Sequence, residues 1–414
     1  MKKGRPDSAR ETALHIRREL CRRSILAMGR TFPNPSVGAV VYDTESGKMF
    51  SGGTETPGKR HAEIVALDGY DSSRSSSIRV FVTLEPCSRH GRTPPCTDRL
   101  IQYDELRSVK IFETDPTLAG EGIQKLKEKG IRVSTVREKF DPASAFLLGF
   151  IKRSVQRSPR FHFKMAATSD GFTGSKKERI MISGQEALEF TMALRAKLDA
   201  VLVGPGTAAL DLPSLDFRMP SGSSAFSLEK EWPRRPPSFF SLYSEDRNLF
   251  LESVLLFKEE IFHLAQDEKA YQPERVFLLG DDFSGRSDFL EKQKVITERT
   301  GRPAVYLTFQ KKASFWRNCC DVFGELPDFS DPEFRRSLEE ILAQRGLNEI
   351  LVEGGAGFFT SLRPGSDPDD ELYLLISEKR FPIADGIALP SFPEMKKKAQ
   401  LKLGSDTLIW MKAN

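Results

Sequence analysis

The sequence predicts an α/β protein of two domains, and three observations carry that expectation. At 414 residues the chain exceeds one ordinary domain. In both halves, apolar runs of strand length alternate with segments of helical period, the pattern of sheets flanked by helices. Arg157-Ser158-Pro159 punctuates the middle, placing the domains at 1–156 and 157–414.

In the first half, apolar residues from Ala13 to Met28 recur at helical spacing and stop at Gly29. Phe32-Pro33-Asn34-Pro35-Ser36 is a turn, followed by a buried strand over 37–42. Residues 52–58, with Gly52-Gly53 and Gly58, read as a loop running into a helix that starts at His61. A strand over 78–83 delivers Pro86-Cys87 at its C-terminal end, and Pro95-Cys96 opens a further helix. Strands at 109–112 and 131–133 flank a helix over 122–129. This alternation predicts a sheet between helices, with functional residues at strand ends where loops converge.

In the second half, 146–155 is a connecting helix and 161–166 alternates like a strand, ending in the turn Thr168-Ser169-Asp170-Gly171. Residues 185–198 are helical, with Leu188, Met192, Leu194 and Leu198 on one side. A strand over 199–204 runs into Pro205-Gly206-Thr207, and further strands are expected at 275–279, 304–308, 349–352, 371–376 and 407–412.

Composition narrows the class. With 39% hydrophobic and 29% charged residues the chain reads as an ordinary soluble protein, and a net charge of +4 does not by itself argue for nucleic acid. Five cysteines fit a reducing cytoplasm better than a disulfide framework; Cys21, Cys319 and Cys320 read as structural. The basic N-terminus leads into the heavily charged stretch 11–23, which lacks the apolar core of a signal peptide, and no run is long enough to span a membrane. A cytoplasmic protein is expected, with a small-molecule substrate and neither nucleic acid nor membrane as partner.

The chemistry of the first half lies in Arg60-His61-Ala62-Glu63, Thr83-Leu84-Glu85-Pro86-Cys87 and Pro94-Pro95-Cys96. One imidazole and two thiolates suit a tetrahedral zinc ion with its fourth position open to water. Glu63, two residues beyond the histidine, can carry protons there without binding the metal. This is the pattern of zinc-dependent nucleobase deaminases, although eight residues rather than two separate the cysteines. The alternatives are a closed structural zinc knuckle, with His90 as the nearest spare donor, or three residues that never meet. Asn34, fixed between two prolines, offers a donor and an acceptor suited to a base edge, or simply bonds its own turn. In the second half, Val352-Glu353-Gly354-Gly355 follows a strand and precedes a helix. Such a junction cradles a phosphate on backbone N–H groups or makes a tight turn, and the sequence pattern alone does not choose.

The motifs Pro33-Asn34-Pro35-Ser36-Val37-Gly38, His61-Ala62-Glu63 and Thr83 through Cys96, with its Gly91-Arg92-Thr93-Pro94-Pro95-Cys96 ending, resemble the deaminase half of the bifunctional riboflavin-biosynthesis deaminase–reductase family. Asp115-Pro116 and Gly120-Glu121-Gly122 resemble that half's next motif. Lys164, Asp170-Gly171, Leu194-Arg195-Ala196, Thr207, Asp211, Pro213, Arg218, Val352-Glu353-Gly354-Gly355, Asp370-Glu371-Leu372 and Lys379 fall in the order of its reductase half. The resemblance implies a three-layer cytidine-deaminase-like domain followed by a dihydrofolate-reductase-like domain. It implies zinc-dependent deamination of a phosphoribosylamino-diaminopyrimidinone, then NADPH-dependent reduction of the ribose, in a dimer or larger assembly.

Carried over by position, His61, Cys87 and Cys96 bind zinc, Glu63 is catalytic, and Asn34 and Arg92 contact the deaminase substrate. Thr207, Asp211, Gly354 and Gly355 hold the dinucleotide. Arg195 and Arg218 clamp the substrate phosphate, and Lys164 and Glu353 contact the sugar. This chain departs from the family at Arg89, where a histidine is usual, and at Arg179 and Met181, where serine and tryptophan are usual. Asp211-Leu212 stands for paired aspartates, and the Ser/Pro-rich stretch 220–247 lacks the family's pattern. A second reading therefore keeps the deaminase and makes the C-terminal domain an altered or inactive reductase. A third, a nucleic-acid-binding or editing protein, runs against Glu11 and Glu19 interleaved with the basic residues and the want of an aromatic run.

Overall fold

A computed structural model describes residues 7–71, 76–135, 142–219, 249–265, 271–281, 283–380 and 385–414. The chain forms two compact units, Met1–Val155 with Phe226–Glu260, and Gln156–Ala225 with Ile261–Asn414. The first break falls beside the Arg157-Ser158-Pro159 punctuation. The segment ending at Glu260 goes with the first unit, although an undivided split at 156/157 has it on the other side. The Ser/Pro-rich stretch 220–247 lies outside the described residues.

The first unit runs α1 (Asp7–Ala27), β1 (Gly38–Asp43), β2 (Met49–Gly53), α2 (Ala62–Asp68), β3 (Ile78–Leu84), α3 (Cys96–Leu100), β4 (Leu106–Glu113), α4 (Glu121–Glu128), β5 (Arg132–Thr135) and α5 (Pro142–Gln156). The strands form one sheet in the order β2-β1-β3-β4-β5. β1 is antiparallel to both neighbours, while β3, β4 and β5 run parallel. Consecutive Ala39, Val40 and Val41 are all buried, so both faces of the sheet are covered.

Gly52 and Gly53 show how closely the layers approach. They point to opposite faces, as neighbours in a strand must. A methyl group on Gly52 would strike the backbone of α2, and one on Gly53 would lie 2.7 Å from the Arg23 carbonyl of α1. The glycines expected to form a loop are therefore the end of β2. They are small because a helix presses on each face, not because the chain turns there.

The second unit begins with β6 (Arg160–Thr168), β7 (Phe172–Ser175), α6 (Gln185–Lys197), β8 (Ala200–Val203) and α7 (Pro205–Asp211). The next helix, α8 (Leu249–Leu256), packs on α1 in the first unit, and α9 (Lys258–Ala265) follows it. The chain continues through β9 (Glu274–Leu279), α10 (Arg286–Thr300), β10 (Ala304–Phe309), α11 (Ala313–Arg317), β11 (Val322–Leu326), α12 (Phe334–Gln344), β12 (Glu349–Glu353), α13 (Ala356–Leu362), β13 (Glu371–Ser377), β14 (Gly386–Ala388), β15 (Met395–Leu403) and β16 (Asp406–Ala413).

Nine of these strands form a sheet in the order β11-β10-β9-β8-β12-β6-β13-β16-β15, and β7 pairs with β14. From β11 to β13 every pairing is parallel; β16 is antiparallel to β13 and to β15. The central strands read as continuous apolar runs, Val201-Leu202-Val203, Val276 to Leu279 and Ile350-Leu351-Val352, because helices bury them on both sides. All five strands expected after 204 are present. The ones the pattern missed, β7, β11, β14 and β15, are short or lie at a sheet edge, where lysines such as Lys396 and Lys397 replace the alternation of a buried strand. In α6 the expected apolar side is displaced: Leu188 and Met192 are half-buried, whereas Ala187, Phe190, Ala193 and Leu194 are buried.

Candidate functional site

Three chain segments leave the first sheet at one end. Gly38 at the start of β1 pairs with Gly53 at the end of β2, and its N–H donates to Thr83 Oγ1 of β3 at 3.1 Å. The Pro33-Asn34-Pro35 turn, the approach to His61 and the run into Cys87 are thereby neighbours. His61 is the N-cap of α2, and Cys96 is the first residue of α3. His61 Nδ1 lies 3.6 Å from Cys87 Sγ and 3.3 Å from Cys96 Sγ, with all three donor atoms within 4.8 Å of one another.

Tetrahedral zinc bonds of about 2.0 Å to nitrogen and 2.3 Å to sulfur put the N···S edge at about 3.5 Å, so the side chains already stand at metal spacing. His90 does not join them; it is exposed and faces Asp98 at 4.0 Å. Among the described residues the set stops at three ligands, which argues against a closed knuckle.

The electrostatics suit a cation. Cys87 Sγ accepts the N–H of Cys96 at 3.2 Å. The Cys96 thiol and the His61 imidazole hydrogen-bond to it and hold it well below the usual thiol range. Cys96, beside that first thiolate and buried, is pushed up, which a shared dication would reverse. Glu63 is buried in the first turn of α2, and burial raises its carboxyl to about 7 against the opposing pull of His61.

Glu85 is the residue whose role sequence reasoning missed. Its buried carboxylate accepts the N–H groups of Asp115 at 3.3 Å and Ile123 at 3.1 Å, tying the loop before α4 to the metal loop two residues before Cys87. Gly122 packs so tightly here that a Cβ would collide with the Pro86 carbonyl. Gly122→Ala is therefore expected to displace the Pro86-Cys87 turn and weaken zinc binding about tenfold or more, the cost of moving one ligand by a few tenths of an ångström. Chelator competition measures it; unchanged affinity would show that the turn tolerates the shift.

The expected substrate residues surround this centre unevenly. Asn34 is half-buried, in a turn held by its own N–H to the Thr31 carbonyl (2.9 Å) and by Arg153 Nη2 to the Pro33 carbonyl (2.8 Å). Arg92 is exposed on the loop between the cysteines. Arg89, the departure in that loop, donates from Nε to Glu121 at 2.8 Å across exposed surface.

In the second unit the C-terminal ends of β12 and β8 lie beside the middle of β6, with Lys164 opposite Glu353 and Glu353 opposite Val203. Arg195 of α6 forks onto Glu353 with Nε at 2.7 Å and Nη2 at 3.0 Å, and Nη1 donates to the Asp216 carbonyl at 3.2 Å. Burial pushes Glu353 up, but the guanidinium outweighs it and holds the carboxyl below its usual value. Burial lowers Lys164.

Next to them, Gly354 has φ +144°, and the Gly355 N–H donates to Thr207 Oγ1 at 3.2 Å, so the glycine turn and the start of α7 are tied together. Asp211 lies at the far end of α7 and Arg218 is exposed beyond it. The structure thus gathers Lys164, Arg195, Glu353, Gly354, Gly355 and Thr207. It leaves Asp211 and Arg218 outside that group. Arg195, expected at a phosphate, pairs with Glu353.

Comparison with known proteins agrees with both halves of this description. Residues 14–112 match the cytidine and deoxycytidylate deaminase zinc-binding region, and residues 159–238 match the RibD C-terminal domain. The two matches follow one another in the order of a zinc-binding deaminase region and a RibD C-terminal domain. Riboflavin biosynthesis protein RibD of Corynebacterium ammoniagenes is 36% identical over 209 residues, 50% of this chain and 60% of that protein. That of Aquifex aeolicus is 39% identical over 197 residues, 46% and 53% respectively. The chain thus spans little more than half the length of the curated relatives it matches.

Among solved structures, Acinetobacter baumannii RibD superposes with a TM-score of 0.69 at 21% identity, covering 98% of this chain and 99% of that one. A diaminohydroxyphosphoribosylaminopyrimidine deaminase/5-amino-6-(5-phosphoribosylamino)uracil reductase of Thermotoga maritima gives 0.68 at 23%, covering 98% and 100%. At these identities the likeness is one of fold. It is the RibD fold, a deaminase-like mixed-sheet domain followed by a larger dihydrofolate-reductase-like one. Among the described residues no helix is long and apolar enough to cross a membrane.

Proposed function

We propose that the chain catalyses two successive steps of riboflavin biosynthesis. The first unit removes an amino group hydrolytically from 2,5-diamino-6-(5-phosphoribosylamino)pyrimidin-4(3H)-one, and the second reduces the ribose of the product to a ribityl chain with NADPH. The observation that carries this reading is the His61–Cys87–Cys96 triad at metal spacing, with buried Glu63 in the adjacent helical turn. His61 Nδ1 and the two thiolates would hold a zinc ion, which supplies Lewis acidity and an acidified water.

The chain's own residues do the rest. Glu63 holds a proton at its carboxyl and returns it to the departing amine; its raised proton affinity suits both directions near neutral pH. Asn34 would read the ring edge, and Arg92 would meet the ribosyl phosphate. In the second unit, Thr207 with the Gly354-Gly355 turn would cradle the dinucleotide, and Asp211 would extend that contact. The φ of Gly354 and the Thr207 hydroxyl 3.2 Å from where its Cβ would lie make a rim that only glycine leaves open. NADPH supplies the hydride when bound. Lys164 and Glu353 would hold the sugar, Glu353 fixed in one orientation by Arg195, and Arg218 would face the phosphate.

Incubation with the diaminopyrimidinone and mass analysis of the products tests both steps. Without NADPH the product should have exchanged an amino group for oxygen; with it, the product should also have gained two hydrogens. Absence of the first change refutes the deaminase reading. The first change without the second favours a deaminase with an inactive reductase domain. That second reading draws on Met181, which is 51% exposed where a tryptophan is usual, and on Leu212 in place of an aspartate.

A further inference from the structure

The loop between Cys87 and Cys96 carries Arg92 and is gripped from outside by α4. Glu121, in the first turn of that helix, accepts the guanidinium of Arg89 from Nε at 2.8 Å and from Nη2, and the Ser88 hydroxyl at 3.3 Å. Lys125, one turn further along, pairs with Asp98 of α3. Arg89 stands two residues beyond Cys87 and Asp98 two beyond Cys96, so each cysteine-bearing segment has its own partner on one face of α4. The backbone repeats the grip: the Ile123 N–H reaches Glu85, and Gly122 sits against the Pro86 carbonyl.

The charges alternate in sign along this seam: Arg89, Glu121, Lys125, Asp98. Sliding the loop by a helical turn would set like charges together, so the order fixes one position of the loop on the helix. A single exposed ion pair holds little, but a forked arginine–carboxylate contact within a set of alternating charges is the geometry that does hold. The loop has little else of its own. Among the described residues its internal backbone bonding is the Gly91 N–H to the Thr93 carbonyl, at 3.3 Å. Arg92 lies exposed between these anchors, its Cδ 4.0 Å from where a Cβ on Gly58 would stand, on the approach to His61.

We infer that Arg89 and Glu121, supported by Lys125 and Asp98, are positioning residues for deamination. They hold the cysteine loop against α4, so that Arg92 is in place before the substrate phosphate arrives. The inference rests on the deaminase reading above and deepens it. Arg89 stands where the family usually has a histidine; its guanidinium offers the parallel donors of a fork, which an imidazole lacks. An arginine already held gives up less conformational freedom on binding, so the pair acts on KM more than on kcat. The metal ligands are fixed separately, through Glu85 and through the Cys96 N–H to Cys87.

Steady-state deamination of the diaminopyrimidinone by the full chain tests it, using wild type, Glu121→Gln, Glu121→Arg and the swap of Glu121→Arg with Arg89→Glu. Zinc per chain and thermal melting are recorded for each. In parallel, brief trypsin digestion with mass analysis follows the nick after Arg92, which requires no substrate. Glu121→Gln should raise KM about three- to fivefold, the loss of one forked surface pair, with kcat and zinc content within about twofold of wild type. Glu121→Arg sets two guanidinium groups together and should raise KM further and speed the nick. The swap restores the attraction with its signs reversed, and should recover most of both losses. A swap no better than Glu121→Arg alone overturns the inference. So does an unchanged KM in Glu121→Arg, or a fall in kcat and zinc as large as the rise in KM. If wild type does not turn over the diaminopyrimidinone, the deaminase reading fails, and the nick decides the rest. Faster nicking in Glu121→Arg that the swap reverses supports a held loop, and equal rates refute it.

Discussion

Glu63→Gln is expected to abolish deamination while leaving zinc bound and the first unit folded. The amide is nearly isosteric with the carboxyl and fits the same buried space in the first turn of α2. It cannot take a proton at one stage and release it at another. General acid–base catalysis is worth about 10²–10⁴-fold, and Glu63 would serve as both base and acid, so a loss at or above the top of that range is expected. Product formation and metal content measured on the same sample decide the matter. Turnover within tenfold of wild type would remove Glu63 from the mechanism. Loss of zinc together with activity would make it a structural residue instead.

Cys87→Ser is expected to lose metal and stability together. Cys87 is held by more than its own backbone: its thiolate accepts the Cys96 N–H, and its carbonyl accepts the N–H of Thr97 at 3.2 Å. The β3 exit and the start of α3 are thus joined through the ligand itself. Zinc bound by thiolates contributes on the order of 10 kcal/mol to peptides that fold around it, and a hydroxyl is a far poorer ligand. Zinc per chain should fall to near zero. The melting temperature of the first unit should drop by roughly 20–40 °C, that contribution taken at about 2–4 °C per kcal/mol for domains of this size. Full zinc occupancy in the variant would show that the metal, if any, binds elsewhere.

The two halves differ in how far their sites could be read without coordinates. His61, Cys87 and Cys96 were legible because a metal demands particular donor atoms, and few residue types carry them. The strands expected at 78–83 and 109–112 were legible too, since Val80, Val82, Val109 and Ile111 recur at the period of two that one buried face imposes. Gly52-Gly53 shows the limit. Two glycines suggest a loop, yet here they end a strand, because what shortens the side chain is the helix on each face. Glu85 was equally opaque: an acid in a strand-to-loop run looks like solvated surface until the backbone N–H groups of Asp115 and Ile123 are seen to converge on it.

In the second unit the glycine turn and the positions of Lys164, Arg195 and Glu353 could be placed in order along the chain, but their partners could not. Arg195 was assigned to a ligand and is paired with Glu353; Lys292, with no motif around it, donates to the Leu212 carbonyl at the end of α7. What the sequence determined by itself was the inventory of chemistry: three metal donors, a carboxylate two residues beyond the histidine, a glycine turn, and α/β alternation in two successive blocks. Those follow from local requirements, the valence of an atom or the period of a buried face. The tertiary structure alone decided which charges are satisfied inside the protein and which face outward. Pairing depends on distances between residues far apart in the chain, such as the 158 positions separating Arg195 from Glu353, and local pattern carries no information about those.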